Sequence, residues 1–225
     1  MRRVAVIDPG PDSAAHVEAL VEAVRGADDV RILVTHGHPD HAPAARSLAA
    51  ALAGVVASEV SGPSSLAGVT PLADGDVVRT DEGDLVAVAT PGHAREHFAF
   101  HWPERRALFA GDLVLGKGDT VWVGEYPGSV ADYLESLERV GRLGVEVIYP
   151  AHGPPVDDPS EALERFAAHR RERIRQVEAA LAERPGASAD ELLGQVYGLA
   201  LPASARRPAL MSMEALKAHV EGRRG

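Results

Sequence analysis

Thr35-His36-Gly37-His38-Pro39-Asp40-His41 places three histidines and an aspartate within six residues, directly after the apolar run Val30-Arg31-Ile32-Leu33-Val34. Imidazole and carboxylate are the ligands that zinc and related divalent ions take. Gly37 and Pro39 suit a tight loop rather than a continued strand. In such a loop alternate side chains can converge on a point, which a helix at this spacing could not arrange. The alternative, a polar surface loop with incidental histidines, fits poorly in a chain with 10 histidines among 225 residues.

The flanks give that loop a setting. Residues 3–8 read as a strand, and Asp12-Ser13 can cap a helix carrying Val17, Leu20, Val21 and Val24 on one face. A strand at 30–34, a helix over 42–53 and a strand at 54–57 follow. This β-α-β-α-β order argues for an α/β sheet with helices packed on it. Further strands are expected at 75–79, 84–89, 97–102 and 107–110, the last two forming a hairpin across Pro103-Glu104-Arg105-Arg106. Ser129 is expected to cap a helix over 130–142, before a strand at 145–149. The pattern then changes to helices at 160–183, at 189–198 behind a Ser188/Glu191 capping box, and at 209–221. The Pro/Asp-rich segment 153–159 divides the chain into a unit over 1–157 and a helical unit over 158–225.

Three further candidates stand at strand ends: His93 in Thr90-Pro91-Gly92-His93, Asp112 in Ala110-Gly111-Asp112, and His152 in Pro150-Ala151-His152-Gly153. Ligands of open α/β sheets gather where loops leave the carboxyl ends of strands. Singly, each is an ordinary turn residue or cap. Together with the first loop they make a seven-residue donor set.

These residues resemble the metallo-β-lactamase superfamily, whose His-x-His-x-Asp-His signature is present, with the later His, Asp and His in the family's order. The resemblance implies an αβ/βα four-layer sandwich. It implies that His36, His38 and His93 hold one metal, that Asp40, His41 and His152 hold a second, and that Asp112 bridges them. Asp8, in Ile7-Asp8-Pro9-Gly10, matches the family's early Asp that supports the ligand loop from behind. A narrower resemblance, to the group around beta-lactamase-like protein 2, rests on Thr90 to His97, on Gly111-Asp112-Leu113-Val114-Leu115-Gly116 and on His169-Arg170-Arg171-Glu172-Arg173. Members of that group end in a small winged-helix-like domain, and some cleave single-stranded RNA. Relatives usually begin several tens of residues earlier, so edge strands are expected to be missing here, and the helical unit is expected to be a partial winged helix.

The implied chemistry is hydrolysis. A hydroxide held between two divalent ions, zinc or else manganese or iron, would attack an ester, thioester or lactone of a small substrate, with Asp40 orienting it. The alternatives are an endoribonuclease acting on single-stranded RNA and a mononuclear iron persulfide dioxygenase. His97 is either a substrate contact or a strand-start histidine hydrogen-bonded in place. Lys117 either meets an anionic group or is a solvated turn lysine. Glu96 is a further candidate contact, and Trp122 and Tyr126 either wall a pocket or pack into the core.

Composition narrows the classes. The absence of cysteine excludes a disulfide scaffold, a thiolate metal site and a cysteine nucleophile. No apolar run approaches the length of a membrane span, so a cytoplasmic protein without a membrane partner is expected. The net charge of −10 lies entirely in residues 1–150, which carry 22 acidic against 12 basic residues. That is a poor match for bulk nucleic acid. The arginines of 165–175 alternate with Glu161, Glu164 and Glu172 at ion-pair spacing, which describes a solvated helix; a phosphate-contacting face is the alternative.

Overall fold

The computed structural model describes residues 1–197 and 202–223. Its elements in chain order are β1 (Arg3–Ile7), α1 (Ala14–Ala23), β2 (Asp29–Leu33), α2 (Ala44–Leu52), β3 (Ala57–Gly62), β4 (Thr70–Pro71), β5 (Val77–Thr80), β6 (Gly83–Ala89), β7 (Phe98–Trp102), β8 (Ala107–Gly111), α3 (Ser129–Gly141), β9 (Val147–Pro150), α4 (Pro159–Glu183), α5 (Ala189–Tyr197) and α6 (Ala203–Gly222).

Two sheets form. The first is wholly parallel, in the order β1-β2-β3-β4. The second runs β5-β6-β7-β8-β9, antiparallel as far as β8 and parallel between β8 and β9. Strand alternation sorts the apolar side chains into layers. Val4, Val6, Val30 and Ile32 face α1 and α2, where Leu20, Val24, Leu48 and Leu52 cover them. Ala5, Ile7 and Leu33 point the other way, against Leu85, Ala87, Phe98 and Phe100 of the second sheet. The outer face of that sheet, with Ala99, Leu108 and Ile148, packs on Val130, Tyr133 and Leu137 of α3. The result is the expected four-layer helix–sheet–sheet–helix sandwich, with C-terminal helices added to its last layer.

Several local expectations need correction. The strand expected at 54–57 starts only at Ala57, because Val55 and Val56 donate to Leu52 O and continue the turn that ends α2. Gly128, not Ser129, occupies the cap position of α3, and Ser129 is its buried first residue. The two-residue β4 is too short to leave an alternating pattern. The last helix begins at Ala203 rather than 209 and runs through Pro208, a residue that ordinarily stops a helix. The Ser188/Glu191 capping box forms as expected, with Glu191 accepting from Ser188 N–H and Oγ. Residue 198 of the expected helix and residues 224–225 of the C-terminal unit lie outside the described residues.

Candidate metal centre

Strand direction brings the candidate donors together. β6, β8 and β9 run parallel to one another, so the loops carrying His93, Asp112 and His152 leave the same edge of the second sheet. β1 and β2, also mutually parallel, end at Asp8 and at the 35–41 loop. Ligand atoms of His36, His38 and His93 lie within 4.8 Å of one another. So do those of His36, His41 and Asp112, and those of Asp40, His41 and His152. Asp112 presents one oxygen to each side. Its Oδ2 is 3.5 Å from His93 Nε2, and its Oδ1 is 3.6 Å from His41 Nε2 and 3.5 Å from His152 Nε2. His152 Nε2 is also 3.1 Å from Asp40 Oδ2.

Neighbouring groups decide which ring nitrogen faces inward. The Thr35 hydroxyl donates to Asp8 Oδ2 at 2.7 Å. Its oxygen therefore accepts from His36 Nδ1–H at 2.9 Å, which turns the lone pair of His36 Nε2 into the cluster. Asp8 Oδ2 also accepts from His41 Nδ1–H at 2.8 Å, and its Oδ1 accepts from Thr35 N–H at 2.8 Å. Trp122 O accepts from His93 Nδ1–H at 2.9 Å. Contacts of this kind orient histidines that bind metals.

His36 Nε2, His41 Nε2 and Asp112 Oδ1 are buried with no hydrogen-bond partner among the described residues. Orphaned buried polar atoms are costly, and these three converge on one space. Nitrogen and carboxylate donors without thiolate, aimed at a common point, fit divalent metal ions.

The electrostatics agree. Burial, reinforced by the surrounding histidines, pushes the pKa of His36 far below its ordinary value and keeps its lone pair free. Burial acts downward on His41 too, but Asp112 and Asp8 outweigh it and raise the pKa to about 10, so a proton competes there with a cation. Burial opposes the charge of Asp112, and His41, His93 and His152 hold its pKa below the usual carboxylate range nonetheless.

The remaining candidates fall elsewhere. His97 is 1% exposed. Its Nε2 accepts from Asp112 N–H at 3.1 Å, so its Nδ1–H donates to Thr90 Oγ1 at 2.8 Å. No ring nitrogen is left for a substrate; His97 is the histidine hydrogen-bonded in place, beneath Asp112. A Cβ on Gly111, which has φ +51°, would come within 2.8 Å of that ring, so only glycine fits there. Lys117 is exposed and makes no ion pair among the described residues. Glu96 is occupied by Ser64 and Ser65 across the cluster mouth. Trp122 lies against His38 and edge-on to His93, while Tyr126 is 7% exposed and donates to Asp132. Among the described residues, cavities border the donors on two sides. One of about 500 Å³ lies beside His38, Arg95, Glu125 and Tyr126. The other, of about 520 Å³, opens between β1 and β8–β9 and reaches Asp40, His41 and His152.

Sequence reasoning did not single out Thr35 or Glu125, nor the fixing of the Trp122 loop by the C-terminal helices. Trp122 Nε1 donates to Pro208 O at 3.0 Å, and the buried guanidinium of Arg170 donates to Val121 O at 2.8 Å. Arg170 therefore departs from the solvated helix face expected for it.

The sequence profile of the Metallo-beta-lactamase superfamily matches residues 2–152. The chain belongs to this superfamily. It is 37% identical over 124 residues to the Caenorhabditis elegans protein named Beta-lactamase-like protein 2 homolog, covering 55% of this chain and 40% of that one. It is 31% identical over 204 residues to the Lactamase-like protein aptB of Emericella nidulans, covering 86% of this chain and 64% of that one. The chain thus spans about half of the length of these two relatives. A solved metallo-beta-lactamase family protein of Thermus thermophilus superposes with TM-score 0.77 at 25% identity, covering 97% of this chain and 85% of that one. As a superfamily member the chain has a hydrolase-type fold with a candidate His/Asp metal site. Among the described residues, no helix is long and apolar enough to cross a membrane.

Proposed function

We propose that this superfamily member is a metal-dependent hydrolase that opens an ester, thioester or lactone in a small substrate, using two divalent ions. The observation that carries the reading is the convergence of unpartnered His36 Nε2, His41 Nε2 and Asp112 Oδ1 between two donor groups. His36, His38 and His93 would hold one ion, Asp40, His41 and His152 the other, and Asp112 would reach both. Bound there, two divalent ions supply a water of lowered pKa and polarise the carbonyl oxygen under attack. The chain's own contribution is geometric. Asp8 and Thr35 fix two of the rings, and His97 holds the Asp112 backbone. Asp40, more than half exposed, offers a carboxylate oxygen to accept a hydrogen bond from the attacking water or hydroxide and orient it. Zinc suits this donor set, and manganese and iron are accepted by the same ligands.

The endoribonuclease reading has less support. Three of the arginines of α4 are engaged by glutamates, in the pairs Arg165–Glu161, Arg171–Glu164 and Arg175–Glu172. The presence of a second donor group argues against a mononuclear iron dioxygenase.

The test is metal content of protein purified without chelator and after zinc saturation, followed by parallel assays on a thioester, a lactone and single-stranded RNA. Close to two ions per chain and turnover of a small ester-type substrate are expected. Fewer than one ion per chain after saturation overturns the reading. RNA cleavage that disappears in His38→Ala replaces it with the endoribonuclease, and one iron per chain with oxygen consumption replaces it with the dioxygenase.

A further inference from the structure

His38 differs from the other rings of the cluster. Its Nδ1 lies on the cluster side, 3.0 Å from His93 Nε2, whereas His36, His41 and His93 turn Nε2 inward. For Nδ1 to carry the lone pair, the proton of the neutral ring must sit on Nε2. The group facing that nitrogen is Glu125, whose Oε1 is 3.5 Å away. We infer that Glu125 is a positioning residue whose carboxylate accepts the Nε2 proton of His38, orients the ring and presents Nδ1 to the metal. The inference rests on the reading of His38 as a metal ligand.

The surroundings of Glu125 are built for this. Its second oxygen accepts the backbone N–H of Arg95 at 3.0 Å, which ties the carboxylate to that loop. The guanidinium of Arg95 lies over the Tyr126 ring, 4.3 Å from its centre, and does not pair with Glu125. The carboxylate charge is thereby left to His38. The Trp122 ring, stacked 5.9 Å from the imidazole, limits its rotation from one side. One side chain from the loop after β8 thus ties together the loop after β2, through His38, and the loop after β6, through Arg95. These are loops that carry the three donors of one group. The 3.5 Å separation is longer than a formed hydrogen bond, so the proposed bond needs the two side chains to close by a few tenths of an ångström. A carboxylate on the outer nitrogen of a metal-bound histidine raises the basicity of the inner one, and removing such a partner typically costs about 10–100-fold in metal affinity.

Two measurements test the inference. ¹H–¹⁵N spectra of the zinc-loaded protein report the His38 Nε2 proton, which is expected to be downfield and slow to exchange in wild type and to move upfield or exchange away in Glu125→Leu. A resonance unchanged in that variant overturns the inference. Zinc competition against a chromogenic chelator then compares wild type with Glu125→Leu, Glu125→Gln and, as a control, Glu96→Ala. Glu125→Leu is expected to weaken one zinc site about 10–100-fold while sparing the other. Glu125→Gln, with one amide oxygen for two donors, should fall between, and Glu96→Ala should match wild type. Two tight zinc sites in Glu125→Leu overturn this inference alone. Wild type that takes up no zinc overturns the ligand reading and this inference with it.

Discussion

Asp8 lies at φ +47°, in left-handed space that a side chain enters at a cost of about 1–2 kcal/mol. What holds it there is three donors on two oxygens: Thr35 N–H, the Thr35 hydroxyl and His41 Nδ1–H. Asp8→Ala relaxes none of the backbone strain and strands all three donors. A melting temperature lower by roughly 6–12 °C is expected, from about 3 kcal/mol of lost charge-assisted bonding, and zinc affinity should fall by about 10–100-fold. Calorimetry and chelator competition check the two halves separately. His97 gives a prediction in pH. Burial, and then the neighbouring charge of His93, lower its pKa to about 3. Between pH 6.5 and about 3 the unfolded chain binds a proton at this residue that the folded chain does not. Stability is therefore intact above pH 6.5 and is lost as the pH falls, by about 1.4 kcal/mol per unit. In chelator-treated protein the melting temperature should drop between pH 7 and 5, and less steeply in His97→Gln. Parallel slopes in the two proteins would contradict this. The donors themselves were legible at this scale, because histidine and aspartate at tight spacing carry their chemistry in their identity. Thr35 and Glu125 were not, since a threonine or glutamate acquires a role only from what it meets.

The elements matter by where they end. Five strands, β1, β2, β6, β8 and β9, deliver their carboxyl-end loops to one place, and turn residues in the sequence marked four of the loops. A further contribution lies within the long loop after β8. Residues 121–124 wall the cluster and are held by α4 and α6, through Arg170 on Val121 O and Pro208 O on Trp122 Nε1. Gly124 allows the close approach: a Cβ there would lie 2.7 Å from the backbone of Met211. Gly124→Val should push α6 away from the wall. A lower melting temperature is expected, with weaker zinc binding because Trp122 O no longer holds His93 in place. An unchanged zinc titration in a folded Gly124→Val protein would refute that coupling. Nothing in the sequence near Gly124 announces a helix from the far end of the chain. The same blindness hid the true start of α6, since Pro208 reads locally as a stop.

At the scale of the molecule, one core runs through both units into which the sequence divides the chain. Leu108, Tyr133 and Ile148 from the sandwich join Phe166, Val177, Leu192 and Met213 from the C-terminal helices. A fragment of residues 1–157 would leave the covered face of α3 in water. It should aggregate or bind a hydrophobic dye strongly, and size-exclusion chromatography with dye fluorescence tests this. A monomeric fragment with native-like melting would show the helical unit to be separable. The charge distribution has a consequence as well. The acidic excess sits in residues 1–150, and part of it gathers at the donor cluster: Asp8 and Asp112 are largely covered there, and Asp40 stands at its exposed edge.

By itself the sequence marked the candidate donors, most strands and helices in their order and, through the family resemblance, the sandwich they build. Those properties are local: ligand chemistry, strand alternation and turn residues are readable over a few positions. Only the tertiary structure decided which ring nitrogen faces inward, that His97 supports Asp112 from within the core, and that the C-terminal helices brace the wall of the cluster. Most of these depend on contacts between segments well separated along the chain, from His97 and Asp112 to Trp122 and Pro208, and such contacts arise from packing and strand direction, which leave no mark in the sequence at either partner.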